Sequence, residues 1–251
     1  MNPVHHARSA SRRFGGSWQD FVQFHSFFDQ SKAAFPSVQH RIFLHTDDLG
    51  RALAKRVFGE TLAVPGTDGI SVDKLVDQHI REDLGTRIRL DDWLAQMRVP
   101  RWIENGHLRA LRLTPEDEAF REDPTGAAAR TFGGRPDEYQ PVLDILRLGT
   151  AFSDHPAAGL VLTNSLGIFI AEQALGYAIE TADGHIAPTR LVAERMTKGL
   201  LGRLPTPQDI CLNIQGRGWM RGELVRQANV LWPDYDHAHE HDSHDEHEED
   251  G

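Results

Sequence analysis

The sequence predicts a mainly α fold: two similar helical repeats, each with a small β-hairpin, joined by a helical connector. Three observations predict it. The chain is written twice, so that Phe14-Gly15-Gly16 recurs as Phe132-Gly133-Gly134, Phe58-Gly59 as Leu175-Gly176, Leu75-Val76 as Leu191-Val192, Gly85 as Gly202 and Trp102 as Trp219, at an offset near 117 residues. Apolar residues in each copy recur at helical three- and four-residue spacing. Each copy also interrupts that pattern once with a glycine-containing turn, Pro65-Gly66-Thr67-Asp68-Gly69 in the first and Thr181-Ala182-Asp183-Gly184 in the second.

The elements follow in order. Ser17 stands where an N-cap belongs, and Trp18, Phe21, Phe24 and Phe28 give the next helix its apolar face, with Pro36 beyond its end. A second helix is expected from Val38 to Phe58, stopped by Gly59. Thr61 to Val64 and Ile70 to Val72 read as two short strands around the turn. A third helix, capped by Ser71 or Asp73, carries Leu75, Val76, His79, Ile80 and Asp83 to a stop at Gly85, and Asp91-Asp92-Trp93-Leu94 opens a short fourth. The second copy repeats this order over Phe132 to Leu148, Leu160 to Leu175, the turn, Leu191 to Leu201, and Asp209 onward. In the connector, Thr114-Pro115-Glu116-Asp117 places a capping hydroxyl, a first-position proline and acids at a helix start, and Asp123-Pro124-Thr125-Gly126 ends that helix. The expected organisation is an N-terminal repeat over 1–104, a connector over 105–131, a degenerate repeat over 132–233 and a disordered acidic, His-rich tail over 234–251.

Composition narrows the function classes. Hydrophobic residues make up 39% and charged residues 25%, which is enough to bury a core. No apolar run approaches the roughly 20 residues of a membrane span, and the N-terminus lacks a signal peptide's apolar stretch. Cys211 is the single cysteine, which excludes a disulfide framework and a thiolate zinc cluster. A cytoplasmic protein is expected. The net charge of −10 is concentrated in the tail, because residues 234–250 hold nine acids and no Lys or Arg. The remaining body is nearly neutral, so nothing favours a membrane surface or nucleic acid. Arg98, Arg101, Arg109 and Arg112 around Trp102 read as a solvated salt-bridge surface in front of the acids from Glu116 to Asp123. Gly15-Gly16 and Gly133-Gly134 precede helices without the Lys-Ser/Thr of a phosphate loop, and serve as loop-to-helix turns.

The two copies differ in chemistry. His25, His40, His45, His79 and Asp83 of the first align with Leu143, Ala158, Thr163, Arg195 and Leu200 of the second. His79 and Asp83 stand one turn apart on the core-facing stripe, and a buried carboxylate needs a cation, an imidazole or a metal ion beside it. His25 and His45 border the same kind of stripe. On a straight helix His40 and His45 point roughly 140° apart, so both reach one centre only if His40 sits at or before the helix start. Asp47 and Asp48 follow closely, as a carboxylate ligand or as an orienter for an imidazole. Imidazole and carboxylate donors without thiolate suit a divalent transition metal: Zn, Mn, Fe, Co or Ni. The candidate ligand set is therefore His25, His40, His45, His79 and Asp83. The alternative is a set of core histidines that only hydrogen-bond.

The first copy resembles a domain-of-unknown-function family of small bacterial and phage proteins. The likeness covers roughly residues 1–95 and rests on Met1-Asn2-Pro3 with His5-His6-Ala7, Arg13-Phe14-Gly15-Gly16, Phe28-Asp29-Gln30-Ser31-Lys32-Ala33, His40-Arg41 with His45, Phe58-Gly59, and Gln78-His79-Ile80-Arg81-Glu82-Asp83-Leu84-Gly85 ahead of Asp92-Trp93-Leu94. The second copy keeps the scaffold only, through Gly167-Ile168-Phe169, Leu191-Val192-Ala193-Glu194 and Leu204-Pro205-Thr206. The resemblance implies an architecture and a retained histidine set, not a reaction. This chain departs from the pattern by one extra residue between His45 and Gly50 and by Thr46 in place of a second adjacent histidine. A more distant similarity is to HD-type phosphohydrolases, helical metal enzymes whose ligands arrive from successive helices. Here the third position of His45-Thr46-Asp47 holds the acid, so the dyad is not reproduced.

Three functions fit these residues. The first is a metal site in the N-terminal repeat, with metal-assisted hydrolysis of a phosphate ester as its reaction. The second is a non-enzymatic interaction or scaffold protein whose degenerate copy supplies a surface, with contact between the repeats or a homo-oligomer. The third is metal handling by the tail, where His237, His239, His241, His244 and His247 alternate with acids.

Overall fold

Asn2 and Pro3 start the chain's first helix, which the apolar periodicity from Trp18 onward does not announce. The Asn2 carboxamide accepts from the Val4 amide, Pro3 occupies the first turn, and α1 runs Pro3–Phe14 to a stop at Gly15, whose φ is 85°. The computed structural model describes residues 2–99 and 113–220. Arg101, Trp102, Arg109, Arg112 and the acidic His-rich tail lie outside the described residues.

The molecule is mainly helical, with one small antiparallel two-stranded sheet in each half. After α1 come α2 (Trp18–Ala34), a 3-10 turn at Val38–His40, α3 (Arg41–Leu44), α4 (Leu49–Phe58), β1 (Thr61–Leu62) paired with β2 (Ile70–Ser71), α5 (Val72–Leu84) and α6 (Leu90–Leu94). The Ser17 amide donates to the Asp20 carboxylate at the start of α2. The single helix expected over Val38 to Phe58 is broken at His45–Asp48. Thr46 Oγ1 accepts from the Gly50 amide, Asp48 accepts from the Leu49 amide, and Asp47 donates its own amide to the Ile88 carbonyl. These local bonds replace helical ones, so the backbone turns and sends His45 inward.

The second half continues with α7 (Pro115–Glu122), α8 (Pro124–Phe132), α9 (Pro136–Leu146), 3-10 turns at Leu148–Ala151 and Ala158–Leu160, α10 (Ser165–Leu175), β3 (Ala178–Glu180) paired with β4 (Ile186–Pro188), α11 (Thr189–Leu201) and α12 (Pro207–Cys211). Thr114 Oγ1 accepts from the Asp117 amide as the N-cap of α7. Asp123 ends α7 and at the same time caps α8 through the Gly126 amide, so the connector carries two helices instead of one. α8 is the counterpart of α1, since Gly133 closes it as Gly15 closes α1.

Close approaches of the backbone confirm which residues correspond. A Cβ on Gly50 would lie 1.9 Å from the Leu44 carbonyl oxygen, and one on Gly167 would lie 1.7 Å from that of Leu162. Ser31 Oγ donates to the His40 carbonyl, where the second half has Gly149 pressed against the carbonyl of Ala158. The left-handed caps Gly85 and Gly202 align α5 with α11. They correct one pairing made from the letters alone: His79 corresponds to buried Met196, not Arg195. Matching Leu75-Val76 to Leu191-Val192 slips the helix by one residue, and Leu191 is exposed whereas Leu75 is buried.

The halves meet as an internal pseudo-dimer. α4 packs on its own counterpart α10. The Arg98 amide donates to the Asn213 carbonyl and the Gln215 amide to the Gln96 carbonyl, each at 2.9 Å, around the bridge pair Met97 and Ile214. Those two bonds are images of one another under the repeat correspondence, which is the pattern of an isologous contact. Trp93 packs edge-on against Trp219, 4.9 Å between ring centroids, and buried apolar side chains form one core running through both halves.

Gly50→Ala is expected to destabilise the fold by about 1–3 kcal/mol, because the added methyl must displace main chain rather than a flexible side chain. Urea unfolding of the purified variant measures this, and a loss under about 0.5 kcal/mol, the range of a neutral surface change, would contradict the reading.

Candidate metal centre

α5 supplies the floor of the site. Leu75, Val76, His79, Ile80 and Asp83 form its buried stripe, so His79 and Asp83 enter the core together. α2 presents His25 from the run Phe21, Phe24, His25, Phe28, and the break after α3 presents His45. α1 presents His6 beside Ala7 and Ala10. The side chains of His6, His25, His45 and His79 are fully buried, and Asp83 nearly so.

The distances are short. His25 Nδ1 lies 2.9 Å from His79 Nδ1, and His79 Nε2 lies 3.1 Å from His45 Nε2. Asp83 Oδ2 is 3.0 Å from His45 Nε2, 3.8 Å from His79 Nε2 and 3.6 Å from the Arg41 guanidinium, while Asp83 Oδ1 is 3.2 Å from His6 Nε2. His6 Nδ1 in turn meets Glu82 at 2.6 Å, and Ser9 Oγ and Gln78 Nε2 donate to the other Glu82 oxygen. The His79 ring packs against Phe28 (4.6 Å between centroids) and against His6 (4.2 Å).

Among the described residues, two groups of donors are close enough to hold a metal ion: Asp29, His45, His79 and Asp83, and His6, His25 and His79, each with its donor atoms within 4.8 Å of one another. Of the five residues singled out from the sequence, His25, His45, His79 and Asp83 converge here. His40 does not join a donor group. It sits in the 3-10 turn, edge-on to His45 at 5.4 Å, with Nδ1 on the Ser37 carbonyl at 2.6 Å. Asp47 and Asp48 are also elsewhere: Asp47 pairs with Arg51, and Asp48 accepts from the Leu49 and Leu90 amides.

Sequence reasoning missed His6, Asp29, Glu82 and Arg41 as site residues. His6 had a readable signal, the buried-side spacing of His6, Ala7 and Ala10 behind an Asn-Pro helix start. Asp29 follows His25 by four residues, the same spacing that singled out His79 and Asp83.

Electrostatics divide the histidines. Burial lowers the pKa of His25 and of His40, each to about 3, with repulsion from His6 adding to the first and from His45 to the second. Burial also lowers His45, against the pull of Asp83, and drives His79 well down, with help from His6 and His45. Burial pulls His6 down too, but its bonds to Asp83 and Glu82 outweigh this and raise it. For Asp83 the cost of burial is outweighed by bonds from His45 and His6, and its pKa lies well below the carboxylate range. The cluster thus holds His25, His45 and His79 neutral beside the ionised Asp83, which is the protonation state that binding a cation requires, while the carboxylates favour the charged form of His6.

The chain belongs to the family described as a domain of unknown function (DUF6915), whose model matches residues 1–103 and again 124–220. Comparisons with curated proteins and with solved structures give no match. The double match places both halves in the family, and only the first of them carries the donor cluster among the described residues. No helix among the described residues is long and apolar enough to cross a membrane.

The metal-free protein should lose stability in acid. His25, His40, His45 and His79 have folded pKa values below the ordinary 6.5, so the unfolded chain takes up more protons as pH falls. Their contribution is complete above 6.5 and drains away as pH falls, toward about 3 for His25 and His40, by up to about 1.4 kcal/mol per histidine per pH unit. His6 has the opposite sign, its contribution being present below 6.5 and lost as pH rises through its raised folded value. Four outweigh one, so the urea midpoint of chelator-treated protein falls between pH 7 and pH 4; a flat or rising midpoint would refute the assignment.

Proposed function

We propose that the N-terminal half is a binding module for a divalent transition metal, Zn, Mn, Fe, Co or Ni, held by His45, His79, Asp83 and Asp29. One observation carries this. His45 Nε2, His79 Nε2 and Asp83 Oδ2 are separated by 3.1, 3.0 and 3.8 Å. A circle through three points so spaced has a radius of about 2 Å, the length of a zinc–nitrogen or zinc–oxygen bond, so their spacing matches one shared ion. The nitrogen and oxygen donor set suits these metals, and the buried ring of Phe28, packed against His45 and His79, limits access of competing water. The lone, buried Cys211 fits a reducing compartment, and we place the protein in the cytoplasm.

A second reading makes the same centre hydrolytic toward a phosphate ester. Arg41 favours it: the guanidinium lies beside Asp83 with its side chain 13% exposed, the position from which an arginine could hold a phosphate arriving from outside. A bound ion would polarise the ester and lower the pKa of a water ligand.

Elemental analysis of protein purified with and without residues 236–251 tests the first reading. Metal surviving tail removal and lost in Asp83→Leu supports it; metal lost with the tail transfers the function to the tail, and none in either form leaves a non-metal scaffold. Asp83→Leu installs the side chain that the second half carries as Leu200. For the hydrolytic reading, turnover of p-nitrophenyl phosphate esters by metal-loaded protein should fall at least tenfold in Arg41→Ala with metal content unchanged. Equal rates in both proteins would leave binding alone.

A further inference from the structure

We propose that the cluster takes two divalent ions, bridged by the ring of His79 as an imidazolate. The inference rests on the metal-binding reading above and extends it to the second donor group. His79 belongs to both groups, and its two nitrogens serve different sides: Nε2 faces His45 at 3.1 Å and Nδ1 faces His25 at 2.9 Å. The lone pairs of one imidazole diverge in the ring plane, so an ion seated on Nε2 with His45 and Asp83 is beyond bonding distance of Nδ1. Nδ1 of His79, which faces His25, is therefore left to the second group, His6, His25 and His79, when the first is filled.

The surroundings are built for the second ion as well. The His25, His6 and His79 side chains have no exposure, and their rings stand 4.2 to 5.5 Å apart. The outer nitrogen of His6 is held by Glu82, itself fixed by Ser9 and Gln78, as a carboxylate orients a ligating imidazole in metal sites. Its other nitrogen is the one near Asp83 Oδ1, on the inner side. Asp83 thus offers Oδ2 toward His45 and Oδ1 toward His6. On binding, the second ion forms a bond to Nδ1 of His79 while the remaining ring proton of His79 leaves to solvent, together with a proton from His6 Nε2 where one is present.

The second half shows which side chains the fold accepts at these positions, and supplies the test variants. The full chain is used with the five tail histidines, His237, His239, His241, His244 and His247, changed to alanine, so that tail binding does not enter the count. Loaded with excess Cu2+ and desalted, it should retain two coppers per chain. Its low-temperature EPR intensity should fall well short of the copper content, because an imidazolate bridge couples the two spins antiferromagnetically. His25→Leu should retain one copper with full intensity, and His45→Thr likewise. Two coppers at full intensity would overturn the bridge. One copper per chain would overturn the second site: if it is lost in His45→Thr and kept in His25→Leu, the single-ion centre stands alone, and if the reverse, the ion sits on the His25 side instead. No copper in the starting protein defeats both readings. Circular dichroism of each variant reports folding independently, and the EPR comparison on the unmutated cluster does not depend on them.

Discussion

A carboxylate in the middle of an apolar core is the constraint around which the N-terminal half is arranged. Asp83 is nearly inaccessible, and an ionised carboxylate left alone there costs several kcal/mol at least. Its compensation comes from separate pieces of the chain: His6 from α1, Arg41 and His45 from the broken segment after α2, and His79 one turn earlier on its own helix. None of these is adjacent to Asp83 in sequence except His79. Meeting the carboxylate therefore fixes the position of α1 and the direction of the break at His45–Asp48 relative to α5. The acid acts as a template for the tertiary arrangement as much as a ligand.

The second half shows the same scaffold solved without charge. Leu143, Thr163, Met196 and Leu200 stand where the first half has His25, His45, His79 and Asp83. The Thr163 hydroxyl settles its polarity on the Leu146 and Gly159 carbonyls. The counterpart of Glu82 is Gly199, whose missing Cβ admits Phe120: a Cβ there would stand 2.5 Å from that of Phe120. α7, which carries Phe120, packs along α11. The second half lacks the acid together with its histidine partners, the energetically favoured arrangement, because removing one partner of a buried charge is worse than removing all of them. The same scaffold can thus be built without the acid and its histidines, and their presence in one half calls for a chemical explanation.

Much of this was legible in the sequence, and the parts that were not share a cause. Glycine caps, prolines and turn residues report local backbone geometry, so the hairpins and the ends of α4, α5, α10 and α11 could be read directly. His25, His79 and Asp83 could be read because each lies on an apolar stripe whose period reveals its facing, whereas His45, expected on a helical stripe, stands in the break after α3. His6 escaped because its helix is mostly polar and short of large apolar residues, and its buried side is marked only by Ala7 and Ala10. The break at His45–Asp48 escaped because Leu49, Leu53 and Ala54 continue the helical period across it. What decides there is the competition of the Thr46 and Asp48 side chains for backbone amides. The Arg195 misalignment arose the same way: similar letters one position apart on α11 hide a rotation of about 100° per residue that only burial resolves.

Closure of the cluster bears on how it could act. With His6, His25, His45 and His79 fully buried, an ion or substrate cannot arrive through the described surface without some element moving. α1 is the element whose hold on the cluster is polar and few-membered: His6 and Ser9 both bind one carboxylate, that of Glu82. Against this, α1 packs extensively on α2, so its displacement exposes Ala7 and Ala10 and is opposed by apolar burial. Arg41 marks the other approach, because its guanidinium lies beside Asp83 and its side chain still reaches the surface, 13% exposed. A small cation needs only the passing displacement of α1, whereas a phosphate ester needs a standing opening. The geometry therefore suits retention of an ion better than turnover of a substrate, and it assigns the two candidate activities to two different routes into the same centre.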